Sequence, residues 1–308
     1  MSGNTIVQIK NLKKTINGKP IIKGLTFDIK RGEVFGFLGP NGAGKTTTIR
    51  LMLGLMEMTE GEVWIEGHSI RTDFKKAISY VGGIIENPDL YKFMSGYKNL
   101  LHYARMVSNV DNKRIDEMVK LVGLEDRIHD KVRTYSLGMR QRLGLAQAML
   151  HSPALLIMDE PTNGLDPAGI REIRAYIRKI AIEENIAVVV SSHLLSEIQQ
   201  MCDRIGIIQS GSLISVESVS DFMKSDETQL VHIEATPIEK AKEVLQIIFP
   251  DHQIQVKQKL LHISLERKDI PKAAAVLIKH EIELFEIQSQ SKTLEDLFLE
   301  AVGGHDHV

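Results

Sequence analysis

The chain has 308 residues, 43% of them hydrophobic and 25% charged, and a formal net charge of -2. That is the balance of a globular protein with room for one large domain and a smaller one; without a long acidic or basic block, composition gives no hint of nucleic acid or anionic lipid. Its single cysteine, Cys202, excludes an internal disulfide framework and fits a reducing compartment.

The opening residues, MSGNTIVQIK, lack the basic start and apolar stretch of a signal peptide. No window approaches the roughly 18 consecutive apolar residues of a membrane span, so action at a membrane is expected only through a partner. Along residues 5–38 three strand signals, TIVQIKNL, PIIKGLTFDIK and GEVFGFL, are separated by NGK and RGE turns. A glycine-rich stretch, GPNGAGKTTTIRLMLGLM, then runs into a helix. The strand GEVWIEG follows, where Trp64 reads as core or strand packing.

From about residue 87 to 151 the pattern is helical. Within it, TYSLGMRQRLGLAQAML places Met139, Leu143, Ala146 and Leu150 at helical spacing. A helix with one buried face is expected to start near Gly138, behind small residues that leave its first amides bare. Strand signals return as ALLIMDE and IAVVVSS. Between them Ile170, Ile173, Ile177 and Ile180 share one helix face, with Asp166 as N-cap and Pro167 in the first helical position. Alternating strands and helices predict a largely parallel sheet. From about residue 220 the order becomes strand, helix, strand, strand, helix, strand, the ferredoxin-like split unit. A final amphipathic stretch, TLEDLFLEAVG, closes it. This tail shows no catalytic cluster and reads as a docking or dimerisation module. Cys202 reads as a buried thiol, and His305 and His307 as part of a terminal tail too poor in ligands for a metal site.

GPNGAGKTT matches G-x-x-x-x-G-K-[ST] at Gly39, Gly44, Lys45 and Thr46. An apolar strand precedes it and a helix follows, the setting in which such a loop cradles phosphate. Glycine lets the backbone curl so that the amides of Gly42, Ala43, Gly44, Lys45 and Thr46 point inward, and the helix N-terminus adds partial positive charge. Lys45 would reach the β- and γ-phosphates and the Thr46 hydroxyl would ligate Mg²⁺. The nucleotide-binding set is Gly39, Pro40, Asn41, Gly42, Ala43, Gly44, Lys45, Thr46 and Thr47. Downstream, LLIMDEP buries four apolar residues, so Asp159 emerges at the carboxyl end of a strand, where open α/β sheets bind ligands. Asp159 would hold Mg²⁺, and Glu160 would polarise the attacking water. His193, directly after AVVVSS, could hydrogen-bond the γ-phosphate and hold that water with Glu160.

Taken in order, these motifs resemble the ATP-binding subunit of an ABC transporter over about residues 5–215. SLGMRQ, from Ser136 through Leu137, Gly138, Met139 and Arg140 to Gln141, resembles the family's signature; NGLDP resembles its D-loop and His193 its switch histidine. The resemblance implies two copies packed head to tail around two ATP molecules, each γ-phosphate lying on one P-loop and facing the other copy's signature. Ser136 and Gly138 would then present a hydroxyl and amides to a phosphate supplied in trans, and Asp166 would reach across the dimer. The implied fold is an α/β P-loop NTPase core with an antiparallel β subdomain and a helical subdomain at about 87–151, all within 1–219. A small ferredoxin-like α+β domain at 220–308 follows.

Two positions depart from the family pattern. Where the family usually carries glutamine, VGGIIENPDLY has Glu86, a carboxylate able to bind Mg²⁺ or its waters. Where an aromatic residue usually stacks on adenine, KKTINGK has Ile16, which forfeits about 1–3 kcal/mol of stacking. The glutamate, LYKFMSGYKNL, NGLDPAGIREIR and the closing TLEDLFLEAVGG resemble the bacitracin-resistance and lantibiotic-immunity branch. That branch implies export of a peptide antibiotic or similar amphiphile through a separate polytopic permease, the ATPase residing in the cytoplasm on the inner face of the membrane. The alternative is a soluble, non-transport ABC ATPase acting on nucleic acid or ribosomes; a P-loop kinase has no use for SLGMRQ. No direct nucleic-acid partner is expected.

Overall fold

The computed structural model describes residues 4–85, 88–107, 110–192, 194–224, 228–257, 260–291 and 298. The chain divides into two compact units, Met1–Val219 and Ser220–Val308. The first opens with β1 (Thr5–Ile16) and β2 (Lys19–Lys30), hairpinned at Asn17 and Gly18, both with positive φ. Then come β3 (Val34–Leu38), α1 (Lys45–Met52), β4 (Glu60–Ile65), β5 (His68–Ser69), α2 (Phe74–Ser79) and β6 (Val81–Ile85). Helices α3 (Gly96–Ala104), α4 (Asn112–Leu121) and α5 (Leu137–Met149) precede β7 (Leu155–Asp159). The unit continues through α6 (Pro167–Glu183), β8 (Ala187–Ser191), α7 (Leu195–Met201), β9 (Arg204–Gln209) and β10 (Ser212–Ser218).

Strands β2, β1, β4 and β5 form one antiparallel sheet. The second sheet has the order β10-β9-β3-β8-β7-β6, parallel except for β10, which returns along β9. The β9–β10 hairpin extends the sheet beyond the alternation read from the sequence. Every residue of VFGFL, LLIMD and AVVVS is buried, as parallel strands covered on both faces must be. Phe27 of β2 stacks on Phe35 of β3 at 5.4 Å between ring centres, and Phe37 meets both edge-on, so aromatic packing ties the two sheets together.

Side-chain caps set the helix starts. Ser95 accepts from the Lys98 amide, Asp111 from Arg114, Ser136 from Met139 and Asp166 from Gly169. Helix α5 departs from expectation. Leu143, Ala146 and Leu150 are buried, yet so are Gln141, Gly144, Leu145, Ala148 and Met149, while Met139 is only half-buried. The helix is enclosed nearly all round because α3, α4, α6 and β6 pack on it. Trp64 is half-buried, with the Lys10 ammonium 5.1 Å from its ring centre. Cys202 is buried, and burial pushes its thiol pKa far up.

In the second unit, α8 (Val219–Lys224), which begins on the last residue of the first, leads to β11 (Thr228–Thr236), α9 (Ile238–Ile248), β12 (Ile254–Lys257), β13 (Leu260–Glu266), α10 (Ile270–Lys279) and β14 (Glu283–Ser291). The sheet order is β12-β13-β11-β14, antiparallel throughout, the connectivity of a split βαβ unit. Alternate residues Val231, Ile233, Leu261 and Ile263 meet Leu245 and Leu277 in a core of their own. Of TLEDLFLEAVGG only Phe298 is described, and it is buried; His305 and His307 lie outside the described residues. No helix among the described residues is long and apolar enough to cross a membrane.

A separate core has a measurable consequence. Ile263→Ala, at a fully buried site, should destabilise the second unit by about 2–5 kcal/mol. The only tryptophan, Trp64, reports on the first unit. Urea unfolding followed by far-UV circular dichroism should therefore shift while the tryptophan fluorescence transition stays in place.

Candidate active site

The buried strands β3, β8 and β7 are neighbours, and they deliver their carboxyl ends to one place. The loop after β3 curls tightly: the Ala43 amide donates to Pro40 O at 3.1 Å, and Gly211 N donates to Ala43 O at 2.9 Å. Glycine is required twice here. A Cβ on Gly39 would lie 2.2 Å from the Ile208 carbonyl oxygen. Gly44 takes φ 112 as the N-cap of α1, a left-handed conformation that costs other residues energy. The first turn of α1 carries no acidic residue, so its amides and partial positive charge are available to an anion. Asn41 and Gly42 are exposed, Thr46 and Thr47 half-buried, and Thr48 is buried with its hydroxyl donating to Gly44 O at 2.9 Å.

Lys45 is only 7% exposed. Its ammonium donates to Gly39 O at 2.7 Å and lies 3.4 Å from Pro40 O. Burial pulls its pKa down, and the charges of Glu160 and Asp159 push it back up. P-loop lysine and both candidate carboxylates thus share one electrostatic environment.

Asp159 is buried at the end of β7 and accepts a short hydrogen bond from the Ser191 hydroxyl at the facing end of β8. Glu160 follows at φ 51, an uncommon conformation for a non-glycine residue. Its amide donates to Ser191 O at 3.2 Å and Ser191 Oγ at 3.1 Å, which holds the turn in place. Backbone strain of this kind collects at functional sites.

The signature residues lie elsewhere. Ser136, Leu137, Gly138 and Met139 line a groove of about 490 Å³ with Leu165 and Asp166, and no P-loop residue borders it. The Ser136 hydroxyl accepts from Met139 N at 3.2 Å, so that amide is not bare as the sequence suggested, but the hydroxyl keeps its own proton to donate. Asp166 likewise caps its own helix, accepting from Gly169 N at 2.8 Å. Arg140 is turned inward onto Tyr135 O at 2.6 Å, and Gln141 is buried with an unpaired carbonyl oxygen. A Cβ on Gly138 would meet nothing nearer than Leu165 Cδ2 at 3.8 Å. Packing within one chain therefore does not demand glycine at this position.

Ile16 stands 39% exposed at the end of β1, paired with Lys19. The strand leaving that hairpin backs the P-loop, since a Cβ on Gly44 would strike Ile22 Cδ1 at 2.7 Å. Glu86 and His193 lie outside the described residues; Ile85 pairs with Asp159, and Ser192 is fully buried. The sequence reading missed Thr162, Ser191, Ser192 and Glu197, all buried and hydrogen-bonded at these strand ends. One signal was available: Glu197 falls on the same helical stripe as Ile198 and Met201, an unusual place for an acid.

A family model described as ABC transporter matches residues 22–163, and one described as AAA domain, putative AbiEii toxin, Type IV TA system, matches residues 131–198. The chain is 52% identical to the ABC transporter ATP-binding protein YhcH of Bacillus subtilis (strain 168), over 97% of its own length and 96% of that relative. It is 37% identical to the bacitracin transport ATP-binding protein BcrA of Bacillus licheniformis, covering 98% of each chain. Among solved structures it is similar in fold to cbiO1 from Clostridium perfringens, part of the ABC transporter complex cbiONQ. The TM-score is 0.67 at 24% identity, over 80% of this chain and 97% of that one.

Gly39→Ala tests the loop geometry directly. The clash with Ile208 O must displace the loop, and titration with a fluorescent nucleoside triphosphate should show affinity reduced roughly tenfold or more, about 1.4 kcal/mol.

Proposed function

The chain belongs to the ATP-binding subunits of ABC transporters, which hydrolyse ATP to power transport, and on that premise we propose how its residues divide the work. The P-loop amides and the α1 N-terminus receive the phosphates, and Lys45 exchanges its two loop carbonyls for the β- and γ-oxygens. Thr46 and Asp159 offer a hydroxyl and a carboxylate, the oxygen donors that suit Mg²⁺, and Glu86 is a further candidate. The bound ion neutralises charge on the triphosphate. Glu160 takes the proton of the attacking water, and His193 holds the γ-phosphate beside it. Ile16 offers no aromatic face to adenine, so the base contributes little to affinity.

The observation that carries the two-copy reading is the separation of the half-sites. Signature and Asp166 share a groove that no P-loop residue borders, and Gly138 is small without a packing reason. A second copy placing its γ-phosphate against Ser136 and Gly138 completes the site. Several charge-assisted hydrogen bonds formed only with triphosphate present make closure depend on ATP and opening on its hydrolysis.

The motion is passed to a permease through the segment after β6. Phe93 is 68% exposed and meets Tyr91 edge-to-face, an exposed apolar surface. Buried Asn99 fixes that segment, accepting from Tyr91 N at 2.8 Å and donating to Tyr91 O at 3.1 Å. Through this contact the subunit sits at the inner face of the membrane. The relative named for bacitracin transport supports a peptide antibiotic or similar amphiphile as the exported cargo.

Glu160→Gln should abolish turnover, by about 10²–10⁴-fold if it is the base, and should elute with ATP as a dimer on gel filtration. A monomer that still hydrolyses ATP would overturn the assignment. GTP should be hydrolysed at a rate comparable to ATP; strong preference for ATP would show that another group grips adenine. Tagged Phe93→Asp should lose the polytopic membrane protein that the unaltered chain recovers from detergent-solubilised membranes, while its ATPase rate in isolation stays the same.

A further inference from the structure

Glu197 is an acid in an expensive place. It is 3% exposed, and among the described residues no lysine or arginine pairs with it. Its Oε2 accepts a short hydrogen bond from the Thr162 hydroxyl and a second, at 3.2 Å, from the Ser192 hydroxyl. Ser192 Oγ in turn accepts from the Leu194 amide at 3.0 Å. Among the described residues, Glu197 Oε1 has no hydrogen-bond partner. Burying a carboxylate that lacks a cation and leaves one oxygen unpaired costs free energy. The neighbours on its helix stripe, Ile198 and Met201, show that an apolar side chain suits this face.

What the carboxylate joins explains the cost. Thr162 lies two residues after Glu160, on the loop that runs on to Asp166. Ser192 and Leu194 flank position 193 on either side. One oxygen therefore ties the loop of the candidate base to the Ser192 hydroxyl, which itself accepts from the Leu194 amide beyond position 193. Ser191 makes a parallel tie one residue earlier, donating to Asp159 and accepting from the Glu160 amide. We infer that Glu197 is a positioning residue that holds the Glu160–Thr162 turn in fixed register with Ser192 at the end of the neighbouring strand, so that the candidate base keeps its place at the strand ends. This rests on the assignment of Glu160 to hydrolysis.

The latch predicts a loss in kcat and not in nucleotide binding. In the full chain, Thr162→Val keeps the shape of the side chain and removes the donated hydrogen bond. Glu197→Leu removes the acceptor. Each should lower kcat about 10–100-fold, the cost of misplacing reacting groups by roughly an ångström, with KM for ATP within about twofold. The double variant should be no slower than the worse single one, because Glu197→Leu already breaks the Thr162 bond that Thr162→Val removes. Thr162→Ser keeps the hydroxyl and Glu197→Gln keeps an acceptor oxygen, so both should stay within about threefold of the unaltered rate. A Thr162→Val protein with unchanged kcat and Tm overturns the inference, and so does a loss that Thr162→Ser fails to restore. Should Glu197→Leu fail to fold, the Thr162 pair decides alone. Glu160→Gln is run alongside: full activity there overturns the hydrolytic assignment itself, whereas its loss together with an unaffected Thr162→Val overturns only the latch.

Discussion

Lys45 carries a positive charge into a place almost closed to water, and the arrangement around it follows from the need to meet that charge. Gly39 and Pro40 carbonyls approach it, and Asp159 and Glu160 favour its charged form against the cost of burial. Without glycine the loop could not bring those carbonyls so close, since a Cβ at Gly39 collides with Ile208. The lysine needs strands β3 and β7 to end side by side with β8 between them, which is what the parallel order provides. A triphosphate meets a cation already desolvated, which has only to leave its loop carbonyls. The solvent cost was met on folding, so an incoming anion gains more from the contact than it would in water.

The rest of the site depends on turns at those strand ends. A polar residue ending a buried strand cannot be left unpaired, and here the required hydrogen bonds connect functional elements. Ser191 joins β8 to Asp159 and Glu160; Ser192 and Thr162 join the neighbouring segments through Glu197. The contacts that satisfy these buried polar groups are the ones proposed to orient the catalytic residues. The signature helix is built differently. Its core side is enclosed on nearly every face, while its first turn opens into a groove beside Asp166. Rigid burial behind an open end is consistent with the proposed role of this helix, presenting its terminus to a second copy.

Much of this was legible from the chain alone. GPNGAGKTT between an apolar run and a helix, LLIMDEP with its acids after four buried residues, and Asp166 as a cap all declare themselves, because each is a local rule of backbone or periodicity. The same holds for the strand and helix order of residues 220–308, whose sheet has the order that pattern demands. Ser136, read as leaving the amides behind it bare, caps Met139. The misses have a common origin. Met139, Leu143, Ala146 and Leu150 suggested one apolar face, and nothing local shows that four other elements surround α5. Thr162 and Ser192 look like ordinary surface polar residues when read singly, and they lie 30 residues apart; Glu197 stands out only by its place on an apolar helix stripe.

The sequence by itself determined most of the elements, the phosphate loop, the placing of Asp159 and Glu160 at a strand end, and the Asp166 cap, since these depend on neighbours within about one helical turn or one strand. Only the tertiary structure decided which polar groups are buried and whom they meet. It put Lys45 within the field of both carboxylates, turned the Ser136 and Asp166 caps into one groove, and closed the Thr162–Glu197–Ser192 contact. Hydrogen bonds and burial act over a few ångströms in space, and separation along the chain carries no information about that distance until the sheet order brings strand ends together.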